Sequence, residues 1–476
     1  MIRSTTYLLL SILMLAACAG EAPPRIEDDL DITVPASWLS HIDESTARTI
    51  LRNDWWRDFE DDRLNRLIKA GLTDNQNMRA VVARLEAAVA AHQIAGGPLL
   101  PEIDVGLQTD RARRLFIGFP FGSGGVPSSN VTTNGLSLGV RWEIDVWNRL
   151  STQDSAALAD QQAAVQDMYA AQLSLAAQIC RAWFAAIEAD QQLALAEATS
   201  EAFRRTLADV TERFRRGVRP ALEVHQAATN LANAGANAAL RKDQRLRAMR
   251  QIDILVGRYP NGRMAIAKTL PKSLPQVPAG LPSDLLQRRP DLIAAERRVA
   301  AAGCRVESAK AALYPRLSLT TSGGTQSLEL DDLINTDFRV WSIGVNLLQP
   351  LFRGGSLRAE VRRQQARRAE AFSNYGNAVL TAFSEVENIL SSDEQLKNRR
   401  ERLTEAAKQA ALARDLARER WQLGLTNFLT VADGQRQAFQ TESARITADR
   451  QLIDNRIDLL LALGGGFGNE ATKESR

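Results

Sequence analysis

The chain has little cysteine or histidine to work with: 3 of each in 476 residues. Cys18 closes an N-terminal apolar run, whereas Cys180 and Cys304 stand in alanine-rich stretches that read as helix. That placement argues against a disulfide framework and predicts two free thiols packed as small apolar groups. His41, His92 and His225 are scattered. They offer neither metal-ligand spacing nor a partner for a nucleophile, so no metal, cofactor or catalytic residue is expected. Beyond the N-terminal run, Met78, Met168, Met249 and Met264 do not cluster, so soft-ligand handling of a metal cargo gains no support. Long apolar runs are missing too, since no later segment reaches the ~20 residues of a membrane helix. Neither charge dominates: 59 basic and 56 acidic residues intermingle, which gives nucleic acid no footprint. No glycine-rich phosphate loop opens a helix, and the helical carboxylates read as solvated faces. An enzyme is therefore not expected.

What is present begins with MIRSTTYLLLSILMLAAC. Arg3 precedes an apolar run from Tyr7 to Ala17, and then comes Cys18. The run is too short to span a bilayer and suits a secretory signal over residues 1–17. Leu15-Ala16-Ala17-Cys18 resembles a bacterial lipoprotein signal, which implies acylation, palmitate included, at Cys18. Ala19 follows instead of an aspartate, which favours an anchor in the periplasmic leaflet of the outer membrane.

The rest of the chain is duplicated at a period near 207 residues, as from Glu212 to Glu419, longer than any solenoid repeat. Glu212-Arg213-Phe214-Arg215-Arg216-Gly217-Val218 recurs as Glu419-Arg420-Trp421-Gln422-Leu423-Gly424-Leu425, and Leu222-Glu223-Val224 as Leu429-Thr430-Val431. After an N-terminal segment over 18–72, the first repeat covers 73–257 and the second 287–463. Each begins with a helix (about 73–96, then 287–312). Two strands follow, at 101–109 and 134–146 in the first repeat and at 315–322 and 340–348 in the second. Long helical hairpins over 151–257 and 356–463 complete the plan. From Ser151 to Arg216 there is no Gly or Pro, and 18 of those residues are alanine. Gly217–Pro220 and Gly424–Asn427 read as the reversals, with Pro220 suited to a first helical turn. The linker over 258–286 holds five prolines and cannot be one regular element. Residues 464–476 read as a flexible tail.

All four strands are two-faced. Leu136, Leu138, Val140 and Trp142 alternate with Ser137, Gly139, Arg141 and Glu143, and Trp341, Ile343, Val345 and Leu347 form an equivalent row. A soluble sheet packed on a helix would explain the alternation alone. If the apolar face instead meets lipid, an open four-stranded sheet leaves edge groups that hydrocarbon does not tolerate. Several chains must then share one closed barrel. Eight strands would nearly fill their own interior, and twelve leave room for water. A homotrimer is the smallest arrangement that makes a channel.

Further stretches carry a family resemblance. Trp55-Trp56-Arg57-Asp58-Phe59, Trp142-Glu143-Ile144-Asp145, Arg288-Arg289-Pro290-Asp291-Leu292-Ile293-Ala294-Ala295-Glu296 and Gln349-Pro350-Leu351-Phe352-Arg353-Gly354-Gly355 resemble motifs of one family. It is the TolC-like outer-membrane efflux channel family, in the lipoprotein branch serving resistance-nodulation-division (RND) pumps. Trp147-Asn148-Arg149 departs from the usual Phe-Gly pair of that family. The resemblance implies an α+β membrane protein. Three chains share a 12-stranded outer-membrane barrel, continued by a periplasmic α-helical barrel with a mixed equatorial belt. The expected function is a passive duct that receives substrate from an inner-membrane RND pump through a periplasmic adaptor. The eight apolar residues of the two rows above would then face outer-membrane lipid. Gly217, Val218, Gly424 and Leu425 would meet the adaptor, and Leu429, Asp433 and Arg436 would line a periplasmic gate. Two rival readings are a coiled-coil adaptor or structural lipoprotein without a pore, and a duct of the same fold for secreted polypeptide.

Overall fold

Alanine and long unbranched side chains, with no proline to interrupt them, dictate the dominant elements. The computed structural model describes residues 54–115, 128–271 and 282–465, together with Pro23, Pro35 and residues 37–39. The signal over 1–17, Cys18, residues 116–127 of the first strand connection and the tail from 466 lie outside the described residues.

After a short 3-10 turn over Trp55–Phe59 come two helices, α1 (Asp62–Asp74) and α2 (Gln76–Gly96). Strands β1 (Glu102–Leu115) and β2 (Ser128–Ile144) follow. The first hairpin is α3 (Arg149–Arg215) and α4 (Ala221–Leu255). The second half repeats the order: α5 (Pro282–Arg288), α6 (Pro290–Ala311), β3 (Arg316–Ser327), β4 (Arg339–Leu348), α7 (Ser356–Gln422) and α8 (Phe428–Ala462). Both long helices have 67 residues and both return helices 35, so the duplication is preserved to the residue. At 1.5 Å per residue each long helix extends about 100 Å.

Several boundaries differ from the sequence reading for local reasons. The helix expected from about 73 is two helices, because Asn75 takes an extended conformation between them. Asp61 caps α1, its carboxylate accepting from the amides of Arg63 and Leu64. Arg289, the residue before Pro290, likewise separates α5 from α6. Pro220 is the N-cap of α4 and not its first helical residue. Pairing of β1 with β2 continues outward to Leu115 and Ser128, past the apolar alternation that marked 101–109 and 134–146. Backbone pairing does not need apolar side chains, so hydrophobic period alone shortens such a hairpin.

The chain divides into two units. One, built on 85–164 and 295–375, contains a four-stranded antiparallel sheet, in the order β1-β2-β3-β4. Among the described residues its first and last strands are open edges. The other, built on 30–84, 165–294 and 376–476, contains the main hydrophobic core. Trp55, Phe59, Leu64, Ile68, Ile179, Trp183, Phe184, Ile252 and Ile457 are all buried there, and Trp183 Nε1 donates to Asp61 Oδ2 at 2.9 Å. Cys180 is buried in this core and Cys304 is half-buried in the other unit; both are free thiols, and burial pushes both above the ordinary thiol range.

Candidate functional site

The sheet's register decides which residues share a face. Paired residues in an antiparallel ladder point the same way. Ile103 pairs Val140, which pairs Thr321, which pairs Ile343. Val105, Leu138, Gly323 and Trp341 make the next row, and Trp142, Leu319 and Val345 another. The eight residues expected on one apolar face, Leu136, Leu138, Val140, Trp142, Trp341, Ile343, Val345 and Leu347, thus do fall on one face. Among the described residues nothing covers most of it: Val105 is 75% exposed, Trp341 78% and Val345 70%. Trp142 is half-buried because its indole Nε1 donates to the Leu99 carbonyl at 3.0 Å. The opposite face is polar, with Arg141 paired to Asp104 at 3.0 Å and Ser322 bonded to Ser342 at 2.8 Å. Arg149 of α3 reaches Glu143 at 2.8 Å, and the Asp145 carboxylate accepts from the Leu150 and Ser151 amides, so the strand-to-helix junction is held by its own charges.

The helical reversals are equally specific. After α3, Gly217 adopts φ +73°, its N–H donates to Phe214, and the Val218 N–H donates to Arg213. Gly424 at φ +77° and Leu425 repeat this with Trp421 and Arg420. Each is a Schellman cap, in which a left-handed residue lets two orphan carbonyls find donors. Val218 and Leu425 are exposed, beside exposed Leu222 and Leu423. No heavy atom lies within 4 Å of where a Cβ would stand on either glycine.

Below these turns lies a small core that the sequence reading missed. Trp421, Phe428, Val431 and Ala432 bury together with Val210 and Ala227. The Arg213 guanidinium sits 4.2 Å from the Trp421 ring centroid and also donates to the Trp421 and Gln422 carbonyls. The two hairpins are thereby clasped. The signal was the paired aromatics Trp421 and Phe428 flanking a turn.

On α8, Leu429, Asp433 and Arg436 share an exposed helical face, and Arg436 pairs with Asp433 on its own helix. Thr430 is occupied elsewhere: with its own amide it donates to Asn427 Oδ1, the α8 cap, at 2.9 Å. Gly434 brings α8 against α7, where a Cβ would stand 3.3 Å from Arg414 Cα.

The Arg288-Arg289-Pro290-Asp291 stretch has a structural role. Arg289 is buried and bonds Asp291 at 2.8 Å, Glu385 at 2.6 Å and the Ala462 carbonyl at 3.3 Å. Burial alone would lower its pKa, but the bonds and charges of Asp291 and Glu385 hold it above the usual value. It fastens the start of α6 to α7 and to the end of α8.

A half-uncovered amphipathic sheet with two open edges, joined to duplicated long helical hairpins, defines the class: an outer-membrane efflux channel. The family model described as "Outer membrane efflux protein" matches residues 67–258 and 281–465. The pyoverdine export outer membrane protein OpmQ of Pseudomonas aeruginosa is 30% identical over 467 residues, covering 97% of each chain. Outer membrane protein OprJ of the same organism is 30% identical over 96% of this chain and 95% of its own. The open state of the MtrE outer membrane channel of Neisseria gonorrhoeae superposes with a TM-score of 0.80, at 28% identity, over 93% of this chain and 98% of that one. The chain belongs to the outer membrane efflux protein family. It is an outer-membrane protein of the TolC-like fold, giving four strands to a trimeric barrel. It serves as the channel component of a tripartite efflux system, with a periplasmic adaptor and an inner-membrane pump as partners.

Proposed function

We propose that the trimer is a passive exit duct, with no catalysis of its own, whose periplasmic end is both the docking point and the gate. The observation that carries this reading is the uncovered apolar face of a sheet whose two edge strands have no partner among the described residues. Three such sheets closing on one another satisfy every edge, place Leu136, Leu138, Val140, Trp142, Trp341, Ile343, Val345 and Leu347 against lipid, and turn the polar face to a wet lumen. Acylation at Cys18 adds an anchor in the periplasmic leaflet. Gly217, Val218, Gly424 and Leu425 supply open apolar turns twice per chain, hence six similar adaptor sites per trimer. Leu429 and Asp433 form stacked rings at the tip.

In that ring three carboxylates would repel in a narrow aqueous passage, and Arg436 on the same face supplies the counter-charge. Both side chains are more than half exposed in the protomer, so within one chain the pair contributes little stability. Its effect is on the passage. Asp433→Ala combined with Arg436→Ala is expected to raise the single-channel conductance of purified trimers in planar bilayers. Unchanged conductance with the trimer intact would remove the gate from this reading.

A further inference from the structure

The outward end of the apolar face changes character abruptly. Along β1 the positions on that face run Ile103, Val105, Leu107, Thr109, Arg111 and Arg113, opposite Val140, Leu138, Leu136, Asn134, Thr132 and Asn130. On β4, Arg339 pairs Thr325, which pairs Leu136, so it occupies the same face one step outward of Trp341. All three arginines are exposed. Arg113 donates to Ser128 Oγ at 3.0 Å and Arg339 to the Thr336 carbonyl at 3.0 Å, but among the described residues no carboxylate pairs with any of the three. Asp110 pairs Thr133 in the ladder and so points to the other face. Asp332 accepts from Ser327 Oγ at 3.1 Å.

Arg111 and Arg113 lie on one edge strand and Arg339 at the start of the other. Closing the barrel joins β4 of one protomer to β1 of the next, which brings the three guanidinium groups to each seam. The seam stands just beyond hydrocarbon. Leu107 to Arg111 is four residues, about 13 Å along the strand and about 10 Å in height after tilt. A headgroup layer occupies the first ~5–7 Å outside the hydrocarbon core, within reach of a flexible arginine that can lean back along its stem.

We infer that Arg111, Arg113 and Arg339 form a binding seam for the phosphates of anionic lipid in the outward-facing leaflet. Planar guanidinium groups take phosphate oxygens in pairs, and a phosphate supplies the counter-charge the seam lacks. The inference rests on the barrel reading, because only closure assembles the seam.

The test titrates bis-phosphorylated lipid A into full-length trimers held in phosphatidylcholine nanodiscs, with retention read by native mass spectrometry. Wild-type trimers are expected to retain up to one molecule per seam. The variant R111Q/R113Q/R339Q should bind on the order of a hundredfold more weakly. Arg114→Gln, on the opposite face, should bind like wild type, and R111K/R113K/R339K should fall between. Lipid A stripped of both phosphates should bind wild type no better than phosphatidylcholine does. Equal retention by wild type and the glutamine variant, or by phosphorylated and stripped lipid, overturns the seam. Failure of wild type to enter nanodiscs as a trimer overturns the barrel, and the seam with it.

Discussion

Gly217 and Gly257 have the same backbone conformation, φ +73°, at the ends of the two helices of one hairpin, yet the structure assigns them different costs of substitution. Each ends its helix with a left-handed residue, for which alanine costs about 1 kcal/mol relative to glycine. At Gly217 that is the whole penalty, because a Cβ meets nothing within 4 Å. At Gly257 the same atom would stand 2.3 Å from the Asp74 carbonyl oxygen and 2.8 Å from its carbon. Ordinary contact needs about 3.4 Å or more, so the end of α1 must retreat by about 1 Å, an overpacking cost of about 1–3 kcal/mol. That movement also pulls on Asn75, whose Nδ2 holds the Leu255 carbonyl at 2.9 Å in the buried core. Gly257→Ala should therefore lose about 2–4 kcal/mol and Gly217→Ala about 1 kcal/mol. Heat dissociation of detergent-solubilised trimers ranks them. Hydrogen exchange localises the loss, which should appear at the ends of α1 and α4 for Gly257→Ala alone. Equal losses, or protection unchanged near Asn75, would refute the close-approach argument. The open space at Gly217 has a second consequence. Leucine at Gly217 and Gly424 together should cut adaptor cross-linking more than trimer yield, whereas parallel loss of both would reduce the two glycines to turn formers.

Asp454 of α8 lines a groove of about 660 Å³ together with Arg181, Glu385 and Asp458, and burial pushes its pKa up to about 6, against the pull of Arg450 and Arg181 and aided by Asp458 and Glu188. A carboxyl group whose folded pKa is raised binds more protons folded than unfolded, so this group's contribution falls as pH rises from about 4 to about 6. Above that window the ionised form costs about 2 kcal/mol after allowance for its partial exposure. Asp454→Asn should flatten that part of the profile of trimer melting against pH and stabilise the trimer near neutrality; stability lost at neutral pH would contradict the assignment. Cysteines placed at Ser128 and Asp331, which flank or lie in the two strand connections, should react with an impermeant thiol reagent on intact cells. Reaction only after outer-membrane disruption would invert the topology.

The duplicated plan was legible because its signals are local. Alanine-rich stretches without proline give helices, glycines in the turns give Schellman caps, and period-two alternation gives strands. The face shared by Leu136, Leu138, Val140 and Trp142 followed from parity, and pairing placed Trp341, Ile343, Val345 and Leu347 beside it. The break at Asn75 was not legible, because helical propensity continues across it and its reason lies in the Leu255 carbonyl, far along the chain. The clasp of Arg213 on Trp421 was hidden for the same reason, since it joins the two repeats. On α8 the shared face of Leu429, Asp433 and Arg436 could be read from three- and four-residue spacing. The pairing of Arg436 with Asp433 on their own helix needed coordinates.

The central claim is that four strands per chain close with those of two other chains around a water-filled passage. Planar-bilayer recording from the purified, unmodified protein tests it most directly. The account predicts uniform, stepwise conductance from trimers that need detergent to stay in solution, with no requirement for nucleotide. A mature chain that is soluble and monomeric without detergent, and silent in the bilayer, would contradict it.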